Sequence, residues 1–180
     1  MTNPKVQHTI LISALGEDKP STIHLFSKAA KQCNCSIVTS KLSATGDSFG
    51  LLLEASGTWH AIAKLESTLE KLAKQQDISL QVKRAQTTKN KESKVPYYIQ
   101  AISPDKVGIL FALTYFFHKK AMNVDELNVE HFIAQKTGTP MTSISFHTYI
   151  PVKANLTSFR ESFLLYCEEY NLDIVMEPLK

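Results

Sequence analysis

Apolar positions along the chain switch between two periods. "HTILISAL" is a short apolar run of the length expected for a buried strand. Ile23, Phe26, Ala29 and Ala30 follow at three- and four-residue steps and predict a helix with those residues on its inner stripe. Pro20 is expected in the first turn of that helix, where a missing N–H costs no intrahelical bond. "CSIVTSKLSA" and "SFGLLLEAS" predict two strands around Gly46-Asp47, a pair suited to a tight turn. Ile62, Leu65, Leu69 and Leu72 predict a second helix over 58–76, and "ISLQV" alternates as a closing strand.

The same order then returns. "YYIQAIS", a helix over 106–121, "NVDELNVEHFIAQ", "TSISFHTYI", a helix over 156–170 and "LDIVME" repeat strand, helix, strand, strand, helix, strand. Phe111, Leu113, Thr114 and Phe117 mix the core stripe of the first of these helices with a broader apolar face. Asp18 and Asp105 stand 87 positions apart, as do Lys19 and Lys106, Ile37 and Val124, Leu42 and Val129, and Ser36 and Asn123. Repetition over that many positions marks an internal repeat. Beyond the hairpin the spacing grows, and Phe49 aligns with Met141 at 92, because "IAQKTGTP" is a longer turn than "SATGDS". Loops are where repeats diverge. The expected organisation is a domain over 7–85, a polar linker over 86–94 and a second domain over 95–178. A βαββαβ unit of this kind places its helices on one face of an antiparallel sheet, the ferredoxin-like arrangement of an α+β protein. Open strand edges on such units invite pairing between copies, within a chain or in a homodimer.

Composition changes this picture little. With 43% hydrophobic and 21% charged residues, the 180-residue chain is of ordinary globular type. No apolar run approaches the roughly 20 residues that cross a bilayer, and "MTNPKVQHTI" lacks the apolar segment of a secretory signal, so no membrane association and a cytoplasmic location are expected. A net charge of +3 does not argue for direct nucleic-acid binding. Lys83, Arg84, Lys89, Lys91 and Lys94 form the one local basic excess and read as a solvated linker. Cys33, Cys35 and Cys167 are an odd set without zinc-ligand spacing, and the six histidines are scattered, so reduced structural thiols and no metal are expected.

The strand-to-helix turns carry the candidate chemistry. "ISPDKVGIL" and its weaker copy "ALGEDKPSTI" set an Asp-Lys pair before the first helix of each unit. Helix-terminal N–H groups lack intrahelical acceptors and favour a carboxylate. A Gly at that mouth lets a ligand reach them. Asp105 can take an ammonium group or cap the helix, and Lys106 can pair with a carboxylate.

With Asp-Lys/Arg-Pro/Val-Gly at the first turn of a βαββαβ unit, the chain resembles a tandem ACT-domain protein, and two such units filling it resemble the glycine cleavage system transcriptional repressor family. The resemblance spans about residues 7–178. It implies an amino-acid-binding regulatory module with candidate ligand residues Asp105, Lys106, Val107, Gly108 and Asn123. Weaker counterparts are Asp18, Lys19, Pro20, Ser21 and Ser36, where Ser21 replaces the motif's Gly and Ser36 lacks an amide. It also implies a non-enzymatic regulator of the glycine cleavage system, without cofactor, that represses through a DNA-bound activator protein and answers to a small effector such as glycine. The other reading open at this point is a free-standing amino-acid-sensing allosteric subunit of a metabolic enzyme.

Catalytic signatures are absent: the chain has no G-x-S-x-G, P-loop, H-E-x-x-H or G-x-G-x-x-G. The strands do not carry the aromatic pattern of RNA-recognition domains, and no helix-turn-helix can be placed.

Overall fold

The computed structural model describes residues 7–85, 94–152 and 155–179. The chain divides into two compact units, Met1–Lys89 and Asn90–Lys180. Unit 1 runs β1 (His8–Glu17), α1 (Thr22–Gln32), β2 (Ser36–Thr45), β3 (Ser48–Gly57), α2 (Trp59–Gln76) and β4 (Ser79–Ala85). Unit 2 runs β5 (Lys94–Pro104), α3 (Ile109–Lys119), β6 (Val124–Ile133), β7 (Pro140–Pro151), α4 (Leu156–Glu169) and β8 (Asp173–Pro178). The sheets have the orders β2-β3-β1-β4 and β6-β7-β5-β8, and every pairing is antiparallel. Residues 86–93 of the expected linker lie outside the described residues, and Lys94 is the first residue of β5.

Alternation along the strands decides which sheet face is covered. Ile10, Ile12 and Ala14 of β1 point the same way as Leu51, Leu53 and Ala55 of β3, and all join Phe26, Ile62, Leu65 and Leu69 from the helices in one core. Unit 2 builds the same layer from aromatic rings. Phe117 meets Phe146 edge-on at 5.0 Å and Phe163 at 5.2 Å. One helix face turns differently from the sequence expectation, that of Ile23, and the mixed apolar face of α3 is resolved into an inner and an outer side. Ile23 of α1 and Phe111 of α3 point outward, and the inner stripe of α3 is Ile109, Ala112, Leu113, Phe116 and Phe117.

The helix starts also differ. Helix α3 begins at Ile109, three residues later than expected, because Gly108 at its N-cap has φ +94°. Helix α1 begins at Thr22 behind Ser21, so Pro20 precedes the helix in a turn closed by Thr22 N donating to Lys19 O at 3.0 Å. Neither Asp18 nor Asp105 is an N-cap.

Strand register refines the repeat. Glu17 faces Ser48 as Pro104 faces Met141, and Gly16 faces Phe49 as Ser103 faces Thr142. The spacing beyond the hairpin is therefore 93, and Phe49 corresponds to Thr142 rather than to Met141. The β2–β3 turn is the two residues Gly46-Asp47, with Gly46 at φ +59°, whereas Ile133 and Pro140 bracket a six-residue loop.

Candidate functional site

The turn after β5 is held from the strand side. Asp105 N donates to Pro140 O at 2.9 Å, fixing the residue against the start of β7. Its carboxylate Oδ1 accepts the hydroxyl of Thr142 at 2.7 Å, and that Thr oxygen lies 3.1 Å from His131 Nδ1. His131 Nδ1 is itself 3.4 Å from Asp105 Oδ1. With the Thr142 proton given to Asp105, its oxygen accepts from an Nδ1–H, which sets the imidazole tautomer. Thr142 is 4% exposed, so one buried hydroxyl ties together two side chains that reach solvent. No bond to Asp105 Oδ2 occurs among the described residues, and this oxygen is available to a cationic group.

The rest of the turn is open. Val107 is 101% exposed, and a Cβ built on Gly108 would meet nothing within 4 Å. Lys106 has no carboxylate partner among the described residues. Behind it, Thr114 Oγ1 donates to Leu110 O at 2.8 Å, and Phe111 stacks on Tyr115 at 5.8 Å along the exposed side of α3.

Unit 1 keeps the turn and loses its chemistry. Asp18 N donates to Asp47 O at 2.8 Å, the counterpart of the Asp105 bond. By register, however, Thr142 becomes Phe49 and His131 becomes Ala44, so no hydroxyl or imidazole meets Asp18. Lys19 is taken by Glu17 at 2.9 Å, where unit 2 has Pro104 and leaves Lys106 unpaired. Ser21 has φ −83°, so its backbone needs no glycine.

Asn123 is not part of this turn within the unit. Pro104, beside Asp105, faces Met141, whereas Val124, beside Asn123, faces Thr148. Seven residues of β7 separate those partners, about 23 Å of strand. Asn123 O accepts the buried Thr148 hydroxyl at 2.8 Å, and the residue lines a cavity of about 410 Å³ at the far end of the sheet. Its counterpart Ser36 lines a separate hollow of about 320 Å³ beside the α1–β2 loop. Sequence spacing brought out the Asp-Lys pairs. It missed Thr142 and His131, whose proximity to Asp105 depends on β6–β7 register.

Arg84 is bound to Glu66 through two bonds of 3.1 and 2.8 Å and lies 5.8 Å above the Trp59 ring, so it is not a free basic group. That guanidinium holds the Glu66 carboxyl below the usual range. Lys89 and Lys91 lie outside the described residues. The three thiols are buried and free, with Cys35 pushed up by burial and by Cys33. Among the described residues, no group of three or more metal-binding side chains occurs, and no helix is long and apolar enough to cross a membrane.

Residues 8–83 match the family model of the ACT domain, and unit 2 repeats the same strand order. Unit 1 thus matches the ACT domain, and unit 2 has the same βαββαβ fold. The chain resembles the glycine cleavage system transcriptional repressor of Escherichia coli (strain K12), with 26% identity over 165 residues covering 92% of this chain and 87% of the relative. The Shigella flexneri repressor matches to the same extent. Two solved structures share the tandem fold. One carries the provisional name of glycine cleavage system transcriptional repressor (TM-score 0.75, 22% identity, 97% and 99% of the two chains). The other is an unknown protein from Galdieria sulphuraria (TM-score 0.77, 23% identity, 97% and 100%).

Proposed function

We propose that this chain is a tandem ACT-domain protein and a non-enzymatic cytoplasmic regulator of the glycine cleavage system. It represses transcription by contacting a DNA-bound activator, and a small amino-acid effector such as glycine biases that contact. The observation that carries the reading is the likeness to repressors along 92% of the chain, through both ACT units. Support for an effector comes from the unit 2 turn, where an open glycine, an unpaired Lys106 and an oriented Asp105 carboxylate sit within four residues. The amino acid's ammonium goes to Asp105 Oδ2 and its carboxylate to Lys106 and the start of α3. Regulation then requires that effector bind the partner-competent and partner-incompetent states with different affinity.

The test is capture of partners from a native cytosol on the tagged full-length chain, with and without glycine. Recovery of a transcription factor whose retention changes with glycine supports the reading. Recovery of an amino-acid metabolic enzyme instead makes the chain an allosteric subunit and overturns it.

A further inference from the structure

The cavity at the far end of unit 2 has a composition of its own. It encloses about 410 Å³ and is lined by Lys94 from the start of β5, Lys120 and Asn123 from the α3–β6 loop, and Asn155 and Ser158 around the start of α4, with buried Phe159 beside them. That volume falls within the roughly 300–1,000 Å³ of small-molecule sites. No Asp or Glu lines it, and neither lysine has a carboxylate partner among the described residues. Lys120 is steered instead by the Phe116 ring, 5.7 Å from its Nζ.

The neutral groups are left as donors. Asn155 Oδ1 accepts from Ser158 N at 3.1 Å, so the amide presents its NH₂. The Ser158 hydroxyl and the Asn123 amide make no bond among the described residues. Two unpaired ammonium groups and two or three neutral donors around an apolar wall select a small anion with a short apolar body. The hollow beside Ser36 in unit 1 does not repeat this chemistry, because Lys120 and Asn123 correspond to the buried Cys33 and to Ser36.

We infer that this cavity is a binding site for a small organic carboxylate, held between Lys94 and Lys120. It lies at the opposite end of the sheet from Asp105 and does not depend on an effector at that turn.

The full-length chain, labelled with ¹⁵N, is titrated with acetate, glycine and inorganic phosphate while amide shifts are followed. Three proteins are compared: wild type, the double variant Lys94→Gln/Lys120→Gln, and Lys106→Gln at the turn. Thermal melts confirm that the exposed substitutions leave the fold intact. The expected result is saturable shifts with acetate at Asn123 and residues 155–158, at least tenfold weaker in the double variant and unchanged in Lys106→Gln. Shifts that persist in the double variant, or no saturable shift there with acetate, overturn the site. Saturation by phosphate alone overturns its assignment to a carboxylate. Glycine binding lost only in Lys106→Gln places glycine at the turn, and the cavity then stands or falls on acetate.

Discussion

Phe49 Cε1 lies 3.1 Å from where a Cβ on Gly16 would stand, and the two residues face each other across the β1–β3 ladder. Unit 2 has Ser103 opposite Thr142 at the same place, both 4% exposed. The pairs are alternative fillings of one buried position: a large ring against no side chain, or two small hydroxyl residues. The ring gives unit 1 core volume, and the Thr142 hydroxyl gives unit 2 a partner for Asp105.

The first prediction follows from that exchange. Gly16→Ser brings a Cβ within 3.2 Å of Ile78 Cγ1 as well as against Phe49, and overpacking of this kind costs about 1–3 kcal/mol. Phe49→Thr empties a ring-sized volume at a cost of about 3 kcal/mol. The double variant should be more stable than the sum of the two, with a coupling of about 1 kcal/mol read from urea denaturation. Strict additivity would remove the reciprocal-filling account.

A second prediction concerns Ala121. Among the described residues, α1, α2, α3 and α4 each hand over to the next strand through a residue in the left-handed region: Asn34, Asp77, Ala121 and Asn171. Asn and Asp tolerate that conformation, whereas Ala in it bears a Cβ clash of about 1–2 kcal/mol. Ala121→Asn should therefore stabilise the chain by about 0.5–1 kcal/mol, seen as a higher urea midpoint at unchanged slope. An unchanged or lower midpoint would mean that the Ala121 methyl makes compensating contacts.

Legibility from the sequence followed the range of the interactions involved. Element order was legible because period-two and helical stripes are local, and Gly46-Asp47 identified its own turn. Helix starts were less so: Asp18 and Asp105 have the chemistry of N-caps, but the chain turns at Ser21 and Gly108, and Asp105 is claimed by Thr142. The Asp105–Thr142–His131 cluster was not legible. It requires knowing that a six-residue loop puts His131 opposite Thr142, and a one-residue error in register, such as pairing Phe49 with Met141, conceals it. Asn123 entered through the family resemblance, which does not say that within the unit its loop lies at the other end of the sheet from Asp105.

Alkaline pH should weaken the fold through α4. Burial pushes the Cys167 thiol up to about 12 from its ordinary 9.0, and Tyr166, whose hydroxyl donates to Ala112 O at 2.8 Å, is also pushed up to about 12, first by burial and then by Tyr170. Above about pH 9 the unfolded chain loses the thiol proton that the folded chain keeps. Folded protein then binds more protons, and stability falls with rising pH until the folded thiol titrates near 12. The interval from 9.0 to about 12 limits the Cys167 contribution to ~4 kcal/mol. Urea midpoints should fall between pH 8 and pH 10.5, and by less in Cys167→Ala; equal falls in both proteins would clear the thiol of the effect.

The last prediction separates the two roles of the unit 2 turn. Gly108 at φ +94° has open space where a Cβ would go, so the strain of Gly108→Val is in the backbone and amounts to about 1–3 kcal/mol, with Gly108→Asn costing less. Ser21→Val at φ −83° escapes that penalty. Thr142→Val deletes one hydroxyl at constant shape and should cost about 1 kcal/mol, while releasing Asp105 from its orientation. Asp105→Asn keeps a side-chain oxygen able to accept from Thr142 and removes the charge that would hold an ammonium. If the turn binds the effector, calorimetry should find glycine affinity lost in Asp105→Asn and in Gly108→Val, reduced severalfold in Thr142→Val and unchanged in Ser21→Val, all with melting transitions still cooperative. The decisive comparison is Asp105→Asn with Thr142→Val, because one removes the carboxylate's charge and the other only its tether. Wild-type glycine affinity in both would mean that Asp105 pins the start of β7 to the turn and does nothing else.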